Sequence, residues 1–260
     1  MAMTELDDDD HIPQLSADTL GLLQDFLSEK DAKAKEFEEL KAKAERDFEK
    51  DDQDGKLSMA LFDEDWQASQ FWYTEATANT LAEQLLAGAT SETCIAVVSA
   101  PSAYVALRNL LSSRPAADRP VVRLLEFDRR FDVLGSDFVY YDFSKPLALP
   151  TELKSSFDRI ICDPPFLSED CQTKTALTVR FLARSWKPFD AFSGDGLKLI
   201  SCTGERVDET LAKLYGKIGM KVTTFEPEHS KGLSNEFRCY ANFESVGWKW
   251  RDGDDVGLTS

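Results

Sequence analysis

From about Leu57 onward, short apolar runs alternate with stretches in which apolar residues recur every three or four positions. The first kind of pattern predicts strands and the second helices. Thr74 can cap a helix reaching Leu86, with Ala78, Leu81, Ala82 and Leu85 along one face. Strands are expected at Cys94 to Val98, Val121 to Glu126, Phe138 to Tyr141, Asp158 to Cys162, Leu197 to Cys202, Lys221 to Phe225 and Phe237 to Phe243. Helices are expected between them at Ala103 to Leu111, Asp170 to Trp186 and Val207 to Tyr215. Such alternation predicts an α/β fold with a doubly wound, mostly parallel sheet. The link from the sixth to the seventh strand, Glu226 to Glu236, is too short and polar for a packed crossover helix. Those two strands are therefore expected to be antiparallel neighbours.

Upstream the pattern changes. Residues 1 to 14 read as an unstructured acidic leader, after which Ser16 can cap a helix carrying Leu20, Leu23, Phe26 and Leu27. From Asp31 to Lys50 Lys, Glu and Ala dominate, which predicts a solvated helical rod, and Asp51 to Gly55 breaks it. The expected organisation is an acidic leader and helical extension over 1–56, one α/β domain over 57–243 and a C-terminal tail over 244–260.

Charge narrows the partners. With 30 basic and 47 acidic residues the chain carries a net charge of −17. A field of that sign repels phosphate backbones and attracts basic macromolecules, so no nucleic-acid partner is expected. The five cysteines, Cys94, Cys162, Cys171, Cys202 and Cys239, contain no C-x-x-C pair and read as free thiols, four of them on predicted strands. Two histidines, His11 and His229, leave no basis for a histidine metal cluster or a Ser-His-Asp triad, and no metal is expected. No apolar run approaches the ~20 residues of a membrane span. A cytoplasmic monomer with no membrane contact is the expectation.

Candidate chemistry collects where a parallel sheet places it, beyond the carboxyl ends of its strands. The fourth strand runs directly into Asp163-Pro164-Pro165-Phe166. Two prolines remove two backbone donors and stiffen the turn, leaving carbonyls free to accept. Asp163 and the Pro164 carbonyl can take the N–H groups of an amine while its lone pair points at a methyl sulfonium. Phe166 can stack on a planar base or hold an ammonium over its face. Glu126, ending the second strand, is placed to bind ribose hydroxyls, with Asp128 as a rival. After the third strand, Asp142 can accept from an adenine amine and Phe143 can flank its ring. The loop after the first strand, Ser99-Ala100-Pro101-Ser102, lacks the glycines that usually let a cofactor approach the backbone, although its residues are small. Tyr73 and Thr74, at a helix start, can meet the methionine end of such a cofactor. Trp72 is a candidate for acceptor contact, with core packing as the alternative. Asn235, Glu236 and Phe237 either shape the acceptor entrance or tie the last hairpin down.

At these residues the sequence resembles the eukaryotic lysine methyltransferases of translation elongation factor 1-alpha, a family formerly described as adenine-specific DNA methyltransferases because of a D-P-P-[FY] element. The resemblance rests on Trp66-Gln67, Ser69 to Tyr73, Ser99 to Ser102, Glu126-Phe127-Asp128 with Arg130-Phe131, Asp163 to Phe166, and Asn235 to Tyr240, in that order over residues 57 to 243. It implies a class I, Rossmann-like methyltransferase fold, S-adenosyl-L-methionine as methyl donor, the ε-amine of an elongation factor lysine as acceptor, and Ser99 to Ser102 as the family's own cofactor loop. Two stretches depart from it. The charged segment Ala32 to Asp54 is longer than expected, and Lys187 to Gly196 reads as an insertion that could border the substrate cleft. Two other functions stay open at this point. One is an adenine N-methyltransferase on DNA or RNA, with Phe166 stacked on a flipped base. The other is a non-catalytic methyltransferase-like binding protein, which the absent glycine loop keeps in play.

Overall fold

The computed structural model describes residues 71–232 and 237–251, the short segment 57–59, and Lys35, Glu39 and Ala42. The leader and the helix expected after Ser16 lie outside the described residues. The chain divides into two units, Met1–Lys43 and Ala44–Ser260. In the first, Lys35, Glu39 and Ala42 are helical, and Lys35 Nζ lies 4.0 Å from Glu39 Oε1 one turn away. Both side chains are solvated, so the pair contributes little.

The second unit is built on a seven-stranded sheet in the order β3-β2-β1-β4-β5-β7-β6. Its strands are β1 (Cys94–Val98), β2 (Val121–Glu126), β3 (Phe138–Tyr140), β4 (Arg159–Cys162), β5 (Lys198–Gly204), β6 (Lys221–Val222) and β7 (Phe237–Ala241). The pairings among β1 to β5 are parallel. β7 runs antiparallel to both β5 and β6, as the short polar link requires. This is the class I, Rossmann-like methyltransferase fold. Among the described residues four α-helices cover the sheet: α1 (Glu75–Leu86), α2 (Pro101–Ser112), α3 (Glu169–Leu182) and α4 (Asp208–Tyr215).

Alternation along each strand divides the core in two. Ile95, Val97, Leu124, Ile161 and Ile200 face one layer with Leu81 and Leu85 of α1 and Tyr104 and Leu107 of α2. Ala96, Val98, Leu125, Ile160 and Leu199 face the other, with Val179 and Leu182 of α3 and Leu211 of α4. The strand order reverses between β1 and β4, which opens a crevice beyond the ends of those two strands.

Several boundaries move for identifiable reasons. α2 begins at Pro101 because proline is pre-set for the first helical turn, where its missing N–H is not needed. α3 stops at Leu182 because Ala183 turns extended and bridges Phe157, while Arg184 pairs with Asp158. β6 is short because Thr223 bridges Trp250 and Thr224 donates to the Lys249 carbonyl, so a later segment takes over its edge. That segment is not a tail. Trp248 is buried beside Phe243, and the Trp250 indole donates to the Ala241 carbonyl, so the packed domain runs through Arg251. The five cysteines are all free and four are buried.

The insertion Lys187 to Gly196 leads into the first residue of β5 and closes on itself through Leu197 N–H donating to the Lys187 carbonyl. It therefore sits at the amino edge of the sheet and does not border the crevice. Gly196, at φ +90°, is required there: a Cβ would lie 2.1 Å from the Pro188 carbonyl oxygen. At the same edge two buried cations cap the C-terminal end of α1. Arg159 donates to the carbonyls of Leu85 and Ala87 at 2.5 and 2.8 Å, and Lys198 donates to that of Gln84 at 2.5 Å. Helix carbonyls without intrahelical partners, at the negative end of the helix dipole, account for the placement.

Candidate functional site

The crevice at the switch point is built by three strand ends. Asp163 N–H donates to the Val98 carbonyl, fixing the turn after β4 against the end of β1. Ser99 N–H donates to the Leu125 carbonyl, fixing the turn after β1 against β2. Ser99 has φ +54°, so this serine occupies the left-handed conformation for which a glycine is the usual choice. Ala100 and Ser102 are buried behind it, and Ser102 Oγ accepts the backbone N–H of Tyr73 at 3.2 Å. Of the four expected cofactor-loop residues, Ser99 is thus the half-buried one, and Ala100, Pro101 and Ser102 are buried.

The Asp163-to-Phe166 turn is clamped from below. Gln172 Nε2, on α3, donates both to the Phe166 carbonyl and to Thr203 Oγ1 of β5, at 3.0 and 3.1 Å. The Phe166 ring is left 43% exposed and meets the Phe143 ring edge-on at 5.5 Å. Asp163 is partly buried, and Tyr73 Oη donates to its Oδ2 at 2.5 Å. Tyr73 is its one hydrogen-bond partner on the carboxylate among the described residues. Loss of hydration pushes the Asp163 carboxyl from 3.8 up to about 8, the Tyr73 hydroxyl opposes this, and the nearby Glu126 adds to it.

The two rivals for the ribose separate. Glu126 Oε1 accepts the N–H groups of Phe127 and Asp128, and Oε2 has no partner among the described residues. Burial raises its pKa to about 7. Asp128 instead forms a forked pair with Arg130, receiving its backbone N–H, Nε and Nη2 at 2.6 to 2.8 Å, and it caps the 3-10 turn that follows. A carboxylate so committed has little capacity left for a ligand. Asp142 is also engaged: Oδ1 accepts the N–H and hydroxyl of Ser144, with Lys145 near Oδ2, and these contacts hold it below the ordinary carboxylate range.

Trp72, expected at the acceptor, is buried and packs edge-on against Phe131 at 6.4 Å, which is the core-packing alternative. Thr74 caps α1, its Oγ1 accepting Thr77 N–H, so its side chain serves the helix. Phe237 opens β7 and packs edge-on to His229 at 4.8 Å. Asn235 and Glu236 lie outside the described residues. Two residues escaped the sequence reading. Phe127, following Glu126, is 58% exposed at the strand end and stacks on Tyr140 at 5.6 Å. His229 is a hub for Phe71, Tyr73 and Phe237. Position after an acidic strand end was a signal for Phe127; nothing local marked His229.

Residues 64–245 match a family profile described as "Probable N6-adenine methyltransferase". The chain belongs to this family. Members of known assignment resemble this methyltransferase along nearly its whole length. The protein-lysine N-methyltransferase EFM5 of Saccharomyces cerevisiae is 46% identical over 244 residues, covering 91% of this chain and 94% of that one. EEF1A lysine methyltransferase 1 of Gallus gallus is 41% identical over 240 residues, with 92% and 98% covered. Its Homo sapiens counterpart is 38% identical over 244 residues, with 94% and 97% covered. This family member is accordingly a methyltransferase enzyme, and the relatives modify lysine in a protein although the profile's description names adenine.

Proposed function

We propose that this protein is an S-adenosyl-L-methionine-dependent protein-lysine N-methyltransferase whose acceptor is translation elongation factor 1-alpha. The observation that carries the reading is a partly buried carboxylate, Asp163, set between a proline carbonyl and an exposed aromatic ring, in a chain 38–46% identical to relatives named for that activity. The donor fits the residues present. Ser99 in its left-handed conformation opens the first loop, Glu126 keeps one oxygen for a ribose hydroxyl, and Phe127 and Phe143 offer ring faces for the adenine. When bound, the donor supplies an electrophilic methyl group on sulfonium.

The chain's own residues do the rest. Lysine is protonated at neutral pH, and only its neutral amine carries the lone pair that attacks. Asp163 Oδ1 is placed to take that proton, and a carboxyl held at about 8 is a better acceptor than one at 3.8. The Pro164 carbonyl accepts a second N–H and so sets the direction of the lone pair. Phe166, braced by Phe143, faces the alkyl ammonium, a contact worth ~0.5–2 kcal/mol. Tyr73 and His229 line the wall beside it.

The net charge of −17 suits a basic protein acceptor. No described helix is long and apolar enough to cross a membrane, and we place the protein in the cytoplasm as a monomer. An adenine acceptor is the competing reading, because the family profile's description names it and the exposed Phe166 ring also suits a base. One experiment separates them: incubation with methyl-labelled donor and, in parallel, elongation factor 1-alpha, duplex DNA and RNA. Label in the factor, lost in Asp163→Ala, is the expected result; label in nucleic acid alone overturns the lysine assignment.

A further inference from the structure

Asp163 has two oxygens, and the structure treats them differently. Oδ2 receives the Tyr73 hydroxyl at 2.5 Å, and Oδ1 has no partner among the described residues. Tyr73 is itself held from three sides. Its backbone N–H donates to Ser102 Oγ, its strand segment bridges His229, and its ring lies 5.1 Å from the His229 ring. On either side, Thr74 N–H donates to the Glu228 carbonyl and Ser230 N–H to the Trp72 carbonyl, both at 2.8 Å. The side chain is 5% exposed. A phenol locked this firmly does not follow a mobile ligand; it fixes whatever it bonds to.

Resting on the function proposed above, we infer that Tyr73 is the positioning residue for methyl transfer: its hydroxyl pins Oδ2 of Asp163 and presents Oδ1 as the oxygen that meets the substrate amine. This moves Tyr73 from the donor's methionine end to the acceptor's side of the site. Pinning also sets the charge. A donor on Oδ2 stabilises the ionised carboxylate, so Tyr73 holds the acid lower than burial alone would. The other titratable groups facing Asp163 are Glu126 on β2 and the thiols of Cys202 on β5 and Cys162 beside it. Burial pushes the Cys162 thiol up, and a hydrogen bond with Cys239 together with burial does the same for Cys202, so both stay neutral; Glu126, and the His229 ring against Tyr73, are the groups whose titration must be controlled.

The test is the pH profile of kcat and kcat/KM for Tyr73→Phe, with Glu126→Gln as the background control. The sign follows from the bond: without the donor, Asp163 ionises at higher pH, so the acid limb moves up. At pH 7.5, kcat falls about 10- to 100-fold, the range for a hydrogen bond to a charged group, with KM for the donor unchanged. Part of the loss returns as pH rises. In an Asp163→Asn background the same substitution adds little, because the two residues act as one unit. Should Tyr73→Phe fail to fold, 2,3-difluorotyrosine at position 73 keeps the shape and strengthens the donor, and the acid limb then moves down. An unmoved limb with a raised KM for the donor overturns the inference and returns Tyr73 to the cofactor. An inactive wild-type protein instead overturns the proposed function, so the two failures are distinguishable.

Discussion

The two edges of the sheet solve the same electrostatic problem in opposite ways. At the amino edge, Arg159 and Lys198 are register partners that open β4 and β5, both buried, and neither forms an ion pair among the described residues. Desolvation lowers both pKa values, that of Lys198 from 10.5 to about 7. Each nevertheless finds carbonyl acceptors at the end of α1. At the carboxyl edge, Asp163 and Glu126 are shielded acids raised by the same loss of water, and each keeps an oxygen without a partner among the described residues. One edge is satisfied from within and closed. The other holds surplus acceptors, and a site with surplus acceptors is one that a ligand rich in N–H and O–H groups completes.

Substitutions at the two edges are therefore expected to part stability from activity. The largest effect is expected for Asp163→Ala, which lowers kcat by ~10²–10⁴-fold, the range for a positioned acid–base group, while the thermal midpoint holds or rises. A fall in the midpoint as large as that of a core truncation, measured by calorimetry, would show that Asp163 is structural. Next is Arg159→Ala, which strips two helix carbonyls of their donor and is expected to cost about 2–4 kcal/mol in urea unfolding, with kcat of the folded protein unchanged. Glu126→Gln follows. It keeps the shape but loses charge-assisted acceptance, and a roughly tenfold weaker donor affinity by titration calorimetry is expected, since such bonds are worth about 1.5–3 kcal/mol. The smallest effect at neutral pH belongs to Lys198→Met, within about 1 kcal/mol, because a lost hydrogen bond offsets relief of desolvation.

Lys198 is informative through pH instead. Its folded pKa of about 7 lies below the ordinary 10.5, so between those values the unfolded chain binds a proton that the folded protein does not. Stability therefore rises with pH across that window, with a slope of up to about 1.4 kcal/mol per pH unit from this group. The wild-type slope between pH 7 and 10 should flatten in Lys198→Met; an unchanged slope removes Lys198 as its source.

Much of this contrast was readable along the chain, and unevenly so. Short apolar runs placed the strands, and the short Glu226-to-Glu236 link placed the antiparallel pair, because both depend on local spacing. Asp163 and Glu126 were legible because acids at parallel strand ends have one natural use. Which acid is already neutralised was not: Asp128 differs from Glu126 only by the turn that folds Arg130 back onto it. Arg159 and Lys198 gave no signal, since a cation at a strand start is usually solvated and its burial depends on where α1 ends. Trp248 and Trp250 carried a signal that the tail assignment overlooked, two large rings in a segment otherwise polar. His229 acquires its role only from pairing across the fold.

That last pairing bears on when the enzyme comes alive. Thr77 Oγ1 accepts the N–H of Glu228, 151 positions further along, and the strand bridge of Tyr73 to His229 lies beside it. During synthesis at ~5–20 residues per second, the acidic wall and the helix that follows Tyr73 emerge long before the segment that clamps them. Asp163 thus waits for its phenolic partner to be locked by nearly the last part of the domain to be made. The parallel strands β1 to β5 are made before the clamp and β7 after it, so a ribosome-bound precursor carries the fold's acids without the geometry to use them.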